Sequence, residues 1–349
     1  MNLLLFFAGL VLLVVGAEAL VRGASRMAAL LKVPPIVVGL LVVGYGTSTP
    51  ELGVSVSAAL AGQPDVALGT VVGSNTFNVL FILGVSALIA PLTVSSRLVR
   101  LDVPVMIGVS VLLFLMALDA QVGHLDGALL LAGLVGYTAF TLLAGRSEAE
   151  ASSLVRATSG WRAAAGSVLL IVLGLAALVA GARWFVDGAV SLAETLGISP
   201  LVVGMVVVAA GTSLPEVVTS IVATVRGDRD IAVGNVVGSN IFNVLGVQGA
   251  ASVAASVRVA PEALLLDLPL MIAVAVACLP IFFTGYKIAR WEGMFFLALF
   301  AAYGTYRLLA SFGPDSAPTY LAVMTFLVTP IVAVTLGVLA YREWRRPSS

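Results

Sequence analysis

Shifting the chain by 165 residues lays Gly46–Gly84 over Gly211–Gly249 with 21 identities in 39 positions and no gap. The first segment reads GTSTPELGVSVSAALAGQPDVALGTVVGSNTFNVLFILG and the second GTSLPEVVTSIVATVRGDRDIAVGNVVGSNIFNVLGVQG. The register extends beyond this core. Gly16-Ala17 matches Gly181-Ala182, Gly23-Ala24 matches Gly188-Ala189, Pro35 matches Pro200, and Asp102-x-Pro104 matches Asp267-x-Pro269. The chain is therefore two copies of one unit, and its fold must be one that two copies can complete.

Composition decides the solvent. Of 349 residues, 60% are hydrophobic and 10% charged, and mean hydropathy is +1.12. A soluble domain carries roughly 25% charge, so this chain cannot cover a surface facing water. That excludes a soluble enzyme and a disordered chain. Eighteen basic residues balance eighteen acidic ones, so there is no excess charge to grip nucleic acid. A single cysteine, Cys278, and a single histidine, His124, exclude an intrachain disulfide and a His-rich zinc or haem site. No HExxH or GxSxG occurs, and the reading is of a protein that is not an enzyme and needs no cofactor. Long unbroken apolar runs give an all-α polytopic membrane protein, since in lipid the backbone must satisfy its own hydrogen bonds.

Eleven spans are expected, near 2–21, 34–61, 66–90, 102–120, 125–144, 166–190, 199–225, 231–256, 263–284, 291–311 and 320–341. The first could pass for a signal peptide, with Ala17-Glu18-Ala19 as its cleavage site, but no basic residue precedes the apolar run and it has a counterpart at 166–190. It is kept as a span. Five spans per copy is an odd number, so the second copy sits upside down. The expected architecture is an inverted-topology repeat of two five-helix units plus an extra C-terminal transmembrane helix. Its parts are 1–145, a cytoplasmic linker 146–165, 166–311, and a helix with a basic tail at 312–349. With the N-terminus outside, fifteen of eighteen Lys and Arg fall on inner loops, and only Arg183, Arg258 and Arg307 fall outside, as the positive-inside rule demands. A plasma membrane location with a cytoplasmic C-terminus follows. Inverted repeats suit transporters, which alternate access by exchanging the conformations of two halves.

The polar residues at membrane depth carry the chemistry, because each is costly there without a partner. The second and seventh spans hold Thr47, Ser48, Thr49, Glu51, Ser55 and Ser57, and Thr212, Ser213, Glu216, Thr219 and Ser220. The third and eighth hold Ser74, Asn75 and Asn78, and Asn235, Ser239, Asn240 and Asn243. Each Gly-Thr-Ser-x-Pro-Glu cluster sets a helix-breaking proline in mid-span, which predicts a discontinuous helix facing a cavity. Carboxylate, hydroxyl and amide oxygens are hard donors that suit Ca²⁺, Mg²⁺ or Na⁺. No basic side chain lies near them, so the substrate is a cation, and two Glu balance one divalent ion.

Other polar residues have plainer readings. Ser57, Thr219 and Thr224 are expected to bond within their own helix or between helices, and Gly39 and Gly204 to allow close packing. Asp102 and Asp267 read as helix N-terminal residues. Asp65, Asp228 and Asp230 read as loop residues beside the site helices. His124, Asp119 and Asp126 read as a solvated outer loop, and Cys278 as a small core residue.

On the paired GTS-x-PE and GSN-x-FN motifs the sequence resembles the sodium/calcium exchanger family, among the cation/calcium antiporters, through about residue 311. The resemblance implies a ten-helix core whose second, third, seventh and eighth helices enclose four cation sites in a row. It implies that Glu51 and Glu216 hold Ca²⁺ with the backbone carbonyls of Thr47 and Thr212. One flanking Na⁺ site is then Thr47, Ser48, Glu51 and Ser74, and its inverted copy is Thr212, Ser213, Glu216 and Ser239. Asn78 and Asn243 would lie at the middle, and the first and sixth helices would slide as a gate. Relatives often carry Asp where this chain has Asn243, so the core here has only two formal negative charges. The expectation is an antiporter of Ca²⁺ and Na⁺ working at a shared carboxylate site in the bilayer. A Ca²⁺/H⁺ antiporter and a passive cation channel stand as alternatives.

Overall fold

The computed structural model describes residues 2–152, 161–195, 211–283 and 285–312, and isolated positions beyond 312. Within these residues the chain is helical, in the order α1 (Asn2–Leu31), α2 (Pro35–Thr47), α3 (Thr49–Leu60), α4 (Pro64–Ile89), α5 (Leu98–Asp119), α6 (His124–Ser152), α7 (Trp161–Thr195), α8 (Leu214–Arg226), α9 (Arg229–Ala254), α10 (Ala263–Phe283) and α11 (Arg290–Phe312). Among the described residues seven helices are long and apolar enough to cross a membrane, and the pair α2–α3, bent by 44° at its break, makes an eighth. Of the eleven expected spans, the start of 199–225 and nearly all of 320–341 lie outside the described residues. The 291–311 stretch is helical as α11, which is not among the seven helices that pass as long and apolar enough.

Burial ranks the helices. The most apolar 18-residue window is 89% buried in α9 and 67% in α4, against 22–33% in α1, α5, α6, α7 and α10. So α4 and α9 are the centre of the molecule and the others turn leucines and valines such as Leu4, Val11, Leu115 and Leu143 outward, where lipid replaces water as the partner of apolar surface.

The inversion is visible in the packing of α1 on α7. A Cβ on Gly9 would meet Gly181 and Phe185, one on Gly16 would meet Gly174 and Leu178, and one on Gly23 would meet Ser167 and Ile171, all within 3.0 Å. Rising numbers in α1 meet falling numbers in α7, so the two repeat-equivalent helices run antiparallel. Adding 165 to Gly9 and subtracting it from Gly181 turns that contact into the Gly174–Gly16 contact, which is the signature of a two-fold axis. Seven-residue spacing of glycines keeps one seam facing the partner, and the missing side chains let the backbones touch.

The same symmetry recurs elsewhere. Short strands β1 (Leu92–Thr93) and β2 (Gln121–Val122) of the first unit pair with β4 (Lys287–Ile288) and β3 (Val257–Arg258) of the second. Wide π-type turns at Asn78–Leu83 and Asn243–Gln248 are repeat-equivalent, as are those at Leu98–Asp102 and Ala263–Asp267. At one end α1 is tied to α8 by an Arg226–Glu18 ion pair and to the loop between α8 and α9 by Ser25 Oγ donating to Asp228 Oδ2 at 3.3 Å.

Several expectations need correcting. The linker 146–165 is partly helical, since α6 runs to Ser152 and α7 starts at Trp161; alternating Ser, Glu and Ala are competent helix formers. Asp65 and Asp230 sit in the first turns of α4 and α9 rather than in loops, where the helix dipole favours an acid. Asp102 and Asp267 close π turns one turn inside their helices rather than starting them. Each accepts a tyrosine hydroxyl, Tyr137 at 2.9 Å and Tyr303 at 3.0 Å. His124 begins α6, and its Nδ1 lies 3.1 Å from the Val253 carbonyl. Of the hydroxyls expected to bond locally, Thr224 donates to the Ser220 carbonyl at 2.7 Å, whereas the buried Thr219 Oγ has no hydrogen-bond partner among the described residues. Gly39 does serve close packing, with the Ile231 backbone 3.1 Å from where its Cβ would be; Gly204 lies outside the described residues. Cys278 is fully buried, as a core residue should be.

Candidate cation site

The break between α2 and α3 falls at Ser48, whose φ and ψ of −81° and 9° leave the helical region, and the equivalent Ser213 has −87° and 3°. Proline two positions on explains both. Pro50 has no N–H to return to the Gly46 carbonyl; Thr49 Oγ serves that carbonyl instead, at 2.8 Å. The break turns each serine hydroxyl out of its own helix and toward the opposite repeat.

The carboxylates are exchanged across the two-fold axis. Ser213 Oγ donates to Glu51 Oε1 at 3.0 Å, and Ser48 Oγ donates to Glu216 Oε1 at 3.0 Å. Ser48 and Glu51 lie one helical turn apart, so both acids converge on one interior point. Glu51 is 0% exposed and Glu216 1%. Ser74 adds a hydroxyl 3.3 Å from Glu51 Oε1 and 3.0 Å from Ser213 Oγ.

The centre is braced by amides. Asn75 Nδ2 donates to the Asn240 carbonyl at 3.1 Å, and Asn240 Nδ2 to the Asn75 carbonyl at 3.3 Å. Asn78 Nδ2 donates to Asn240 Oδ1 and Asn243 Nδ2 to Asn75 Oδ1, both at 3.1 Å. These reciprocal bonds lock α4 against α9. They leave four buried oxygens with no hydrogen-bond partner among the described residues: Glu51 Oε2, Glu216 Oε2, Asn78 Oδ1 and Asn243 Oδ1. Two come from each repeat and all are hard donors. Unpartnered buried oxygens are costly, and a cation is the partner that suits such a set.

The ten residues singled out in the sequence are not all placed alike. Thr47, Ser48, Glu51, Ser74, Asn78, Ser213, Glu216, Ser239 and Asn243 are buried. Thr212 is half-buried and borders a cleft of about 800 Å³, which is also lined by Thr49, Pro50, Gly53, Ser57, Gln63 and Asp187. Ser239 departs from its symmetry mate: its hydroxyl donates to the Gly44 carbonyl at 3.1 Å, whereas Ser74 faces Glu51. Asn75, Asn240 and Asn235 stood among the intramembrane polar residues of the sequence but not in the ligand set; the structure makes them braces. The signal that could have separated Asn235 is the repeat alignment, where it faces Thr70 in one of the two mismatches between GTVVGSNTFN and GNVVGSNIFN.

Comparison with known proteins agrees with this geometry. The family described as sodium/calcium exchanger protein matches residues 1–143 and 166–309. The inner membrane protein YrbG of Escherichia coli strain K12 is 38% identical over 278 residues, covering 78% of this chain and 86% of the relative. The sodium/calcium exchanger MaX1 of Methanosarcina acetivorans is 33% identical over 342 residues, covering 86% and 97%. The solved sodium-calcium exchanger NCX_Mj, soaked with Na⁺ and Sr²⁺, superposes with a TM-score of 0.76 at 30% identity, over 86% of this chain and 96% of its own.

Proposed function

Because the chain belongs to the sodium/calcium exchanger family, and is thus a membrane cation/calcium antiporter rather than an enzyme, we propose that it exchanges Ca²⁺ for Na⁺ at the site between its two repeats. The observation that carries this reading is the reciprocal Ser48–Glu216 and Ser213–Glu51 pairing, which leaves one oxygen of each acid without a hydrogen-bond partner among the described residues. Two carboxylates neutralise one Ca²⁺. The same oxygens, with the Ser and Thr hydroxyls, suit Na⁺, and one set of donors cannot serve both ions at once. That mutual exclusion couples the two fluxes.

Thr47, Ser48, Glu51, Ser74 and Asn78 are read as the ligands from one repeat, and Thr212, Ser213, Glu216, Ser239 and Asn243 as those from the other. The ligands come from both halves, so relative movement of the halves opens the site to one side and closes it to the other. The glycine seam between α1 and α7 supports these helices as the moving pair, because along Gly9, Gly16 and Gly23 the contact is largely backbone against backbone. With the N-terminus outside the plasma membrane, the cleft at Thr212 faces outward. Hydroxyl donors favour Na⁺ over H⁺ as the counter-ion, because a proton needs no hydroxyl cage.

The test is ⁴⁵Ca²⁺ uptake into vesicles holding the purified protein, under an outward Na⁺ gradient and separately under a pH gradient. Uptake is expected with the Na⁺ gradient alone, and Glu51→Gln or Glu216→Gln should abolish it. Uptake driven only by pH would move the reading to a Ca²⁺/H⁺ antiporter. Flux without any counter-ion would make the protein a channel.

A further inference from the structure

We propose that Asn235 is a positioning residue that prepares the Thr47 hydroxyl for a cation and makes the two ends of the pseudo-symmetric site unequal. The inference rests on the reading of Thr47 as a ligand. Asn235 lies in α9 and is 0% exposed. Its Nδ2 donates to the Glu216 carbonyl at 3.2 Å and to Ser220 Oγ at 2.9 Å. Both amide protons are thereby used, which fixes the orientation of the group. Its Oδ1 then stands 3.1 Å from Thr47 Oγ as an acceptor.

Thr47 has one proton and three acceptors for it: Asn235 Oδ1, the Val43 carbonyl at 3.0 Å and the Gly44 carbonyl at 3.4 Å. A hydroxyl whose proton is satisfied in this way keeps its lone pairs for a cation. Without Asn235 the hydroxyl loses its one side-chain acceptor and with it the link from one repeat to the Glu216 backbone of the other. The symmetry mate cannot do the same. Position 70 is a threonine, half-buried and bonded to its own helix through the Val66 carbonyl at 2.7 Å, and Thr212 borders the cleft.

The experiment measures Na⁺-driven ⁴⁵Ca²⁺ exchange by the full-length protein in liposomes, reading the Na⁺ half-saturation and the maximal rate separately. The variants are N235L, T47V, their double, N235D and T70A. N235L is expected to raise the Na⁺ half-saturation about fivefold, the worth of one lost hydrogen bond, with the maximal rate nearly unchanged. T47V should do the same, and the double should be no worse than T47V. N235D keeps an acceptor toward Thr47 and should restore most of the affinity. T70A should leave both parameters unchanged. If N235L does not fold, N235S, too short to reach Thr47, takes its place under the same criterion. No shift in N235L, or shifts in N235L and T47V that multiply in the double, would overturn the proposal while leaving Na⁺/Ca²⁺ exchange standing. A wild-type protein without Na⁺-driven exchange overturns the functional reading and this inference with it.

Discussion

Ser48, at the break of the first repeat, donates its hydroxyl to Glu216 of the second at 3.0 Å. The mirrored bond runs from Ser213 to Glu51, but Glu51 also has Ser74 within 3.3 Å. Among the described residues, two hydroxyls thus lie at direct hydrogen-bond distance of Glu51 and Ser48 alone at that of Glu216. Ser48→Ala is therefore expected to impair exchange more than Ser213→Ala. A hydrogen bond to a charged group is worth about 1.5–3 kcal/mol, so the apparent Ca²⁺ affinity should fall about tenfold or more in S48A and by less in S213A. Ca²⁺ titration of the initial rate distinguishes them, and equal losses would show that the second serine does not compensate.

Asn243→Asp tests the amide brace. The Asn243 amide donates to Asn75 Oδ1 at 3.1 Å, and a carboxylate there would face another acceptor. A buried acceptor left unsatisfied costs about 1–3 kcal/mol. The variant should unfold at a lower temperature without Ca²⁺ and regain part of the loss when Ca²⁺ is added, since a third acid nearby strengthens cation binding. Thermal unfolding in detergent with and without Ca²⁺ reads both effects.

The helix seam predicts a sharp contrast between glycines. At Gly16 a Cβ would fall 2.9 Å from the Gly174 carbonyl and the Leu178 nitrogen, both backbone atoms that cannot turn aside. Gly16→Leu should force α1 from α7 and cost about 1–3 kcal/mol or more, as overpacking does. Gly108 has nothing within 4 Å of that position, so Gly108→Ala should be neutral or raise stability by up to about 1 kcal/mol through helix propensity. Comparing the melting temperatures of the two variants checks this.

A fourth test lies away from the site. Tyr137 Oη donates to Asp102 at 2.9 Å, and Asp102 is 0% exposed with Arg97 3.8 Å away. Tyr137→Phe deletes that donor and should cost about 1–3 kcal/mol. The mirrored Tyr303→Phe should cost less, because the Asp267 side chain is 17% exposed and water can replace the lost hydroxyl. Stability curves of the two variants, with exchange kinetics of the folded fraction unchanged, would bear this out.

The repeat made much of this legible in advance. Hexapeptides 165 residues apart that match at all but one position, GTSTPE and GTSLPE, announce a pair of equivalent acids, and mid-span proline announces the broken helices, because proline's missing N–H is a local fact. The glycine pairs Gly16/Gly181 and Gly23/Gly188 were visible too, but not that they face each other, since that depends on where the second unit docks. Thr212 and Ser239 were assigned by symmetry to roles that mirror Thr47 and Ser74. In the fold Thr212 borders the cleft and Ser239 turns to Gly44.

The sequence by itself determined membrane residence, duplication, inversion and the chemical type of the site, because hydropathy, self-similarity, parity of spans and donor hardness are properties of residues in order. Only the tertiary structure decided which hydroxyl serves which carboxylate, that Asn75 and Asn240 brace each other, and that Asn235 reaches Thr47. Hydrogen bonds act over about 3 Å, and which groups come within that distance depends on how the helices of the two repeats cross, not on their spacing along the chain.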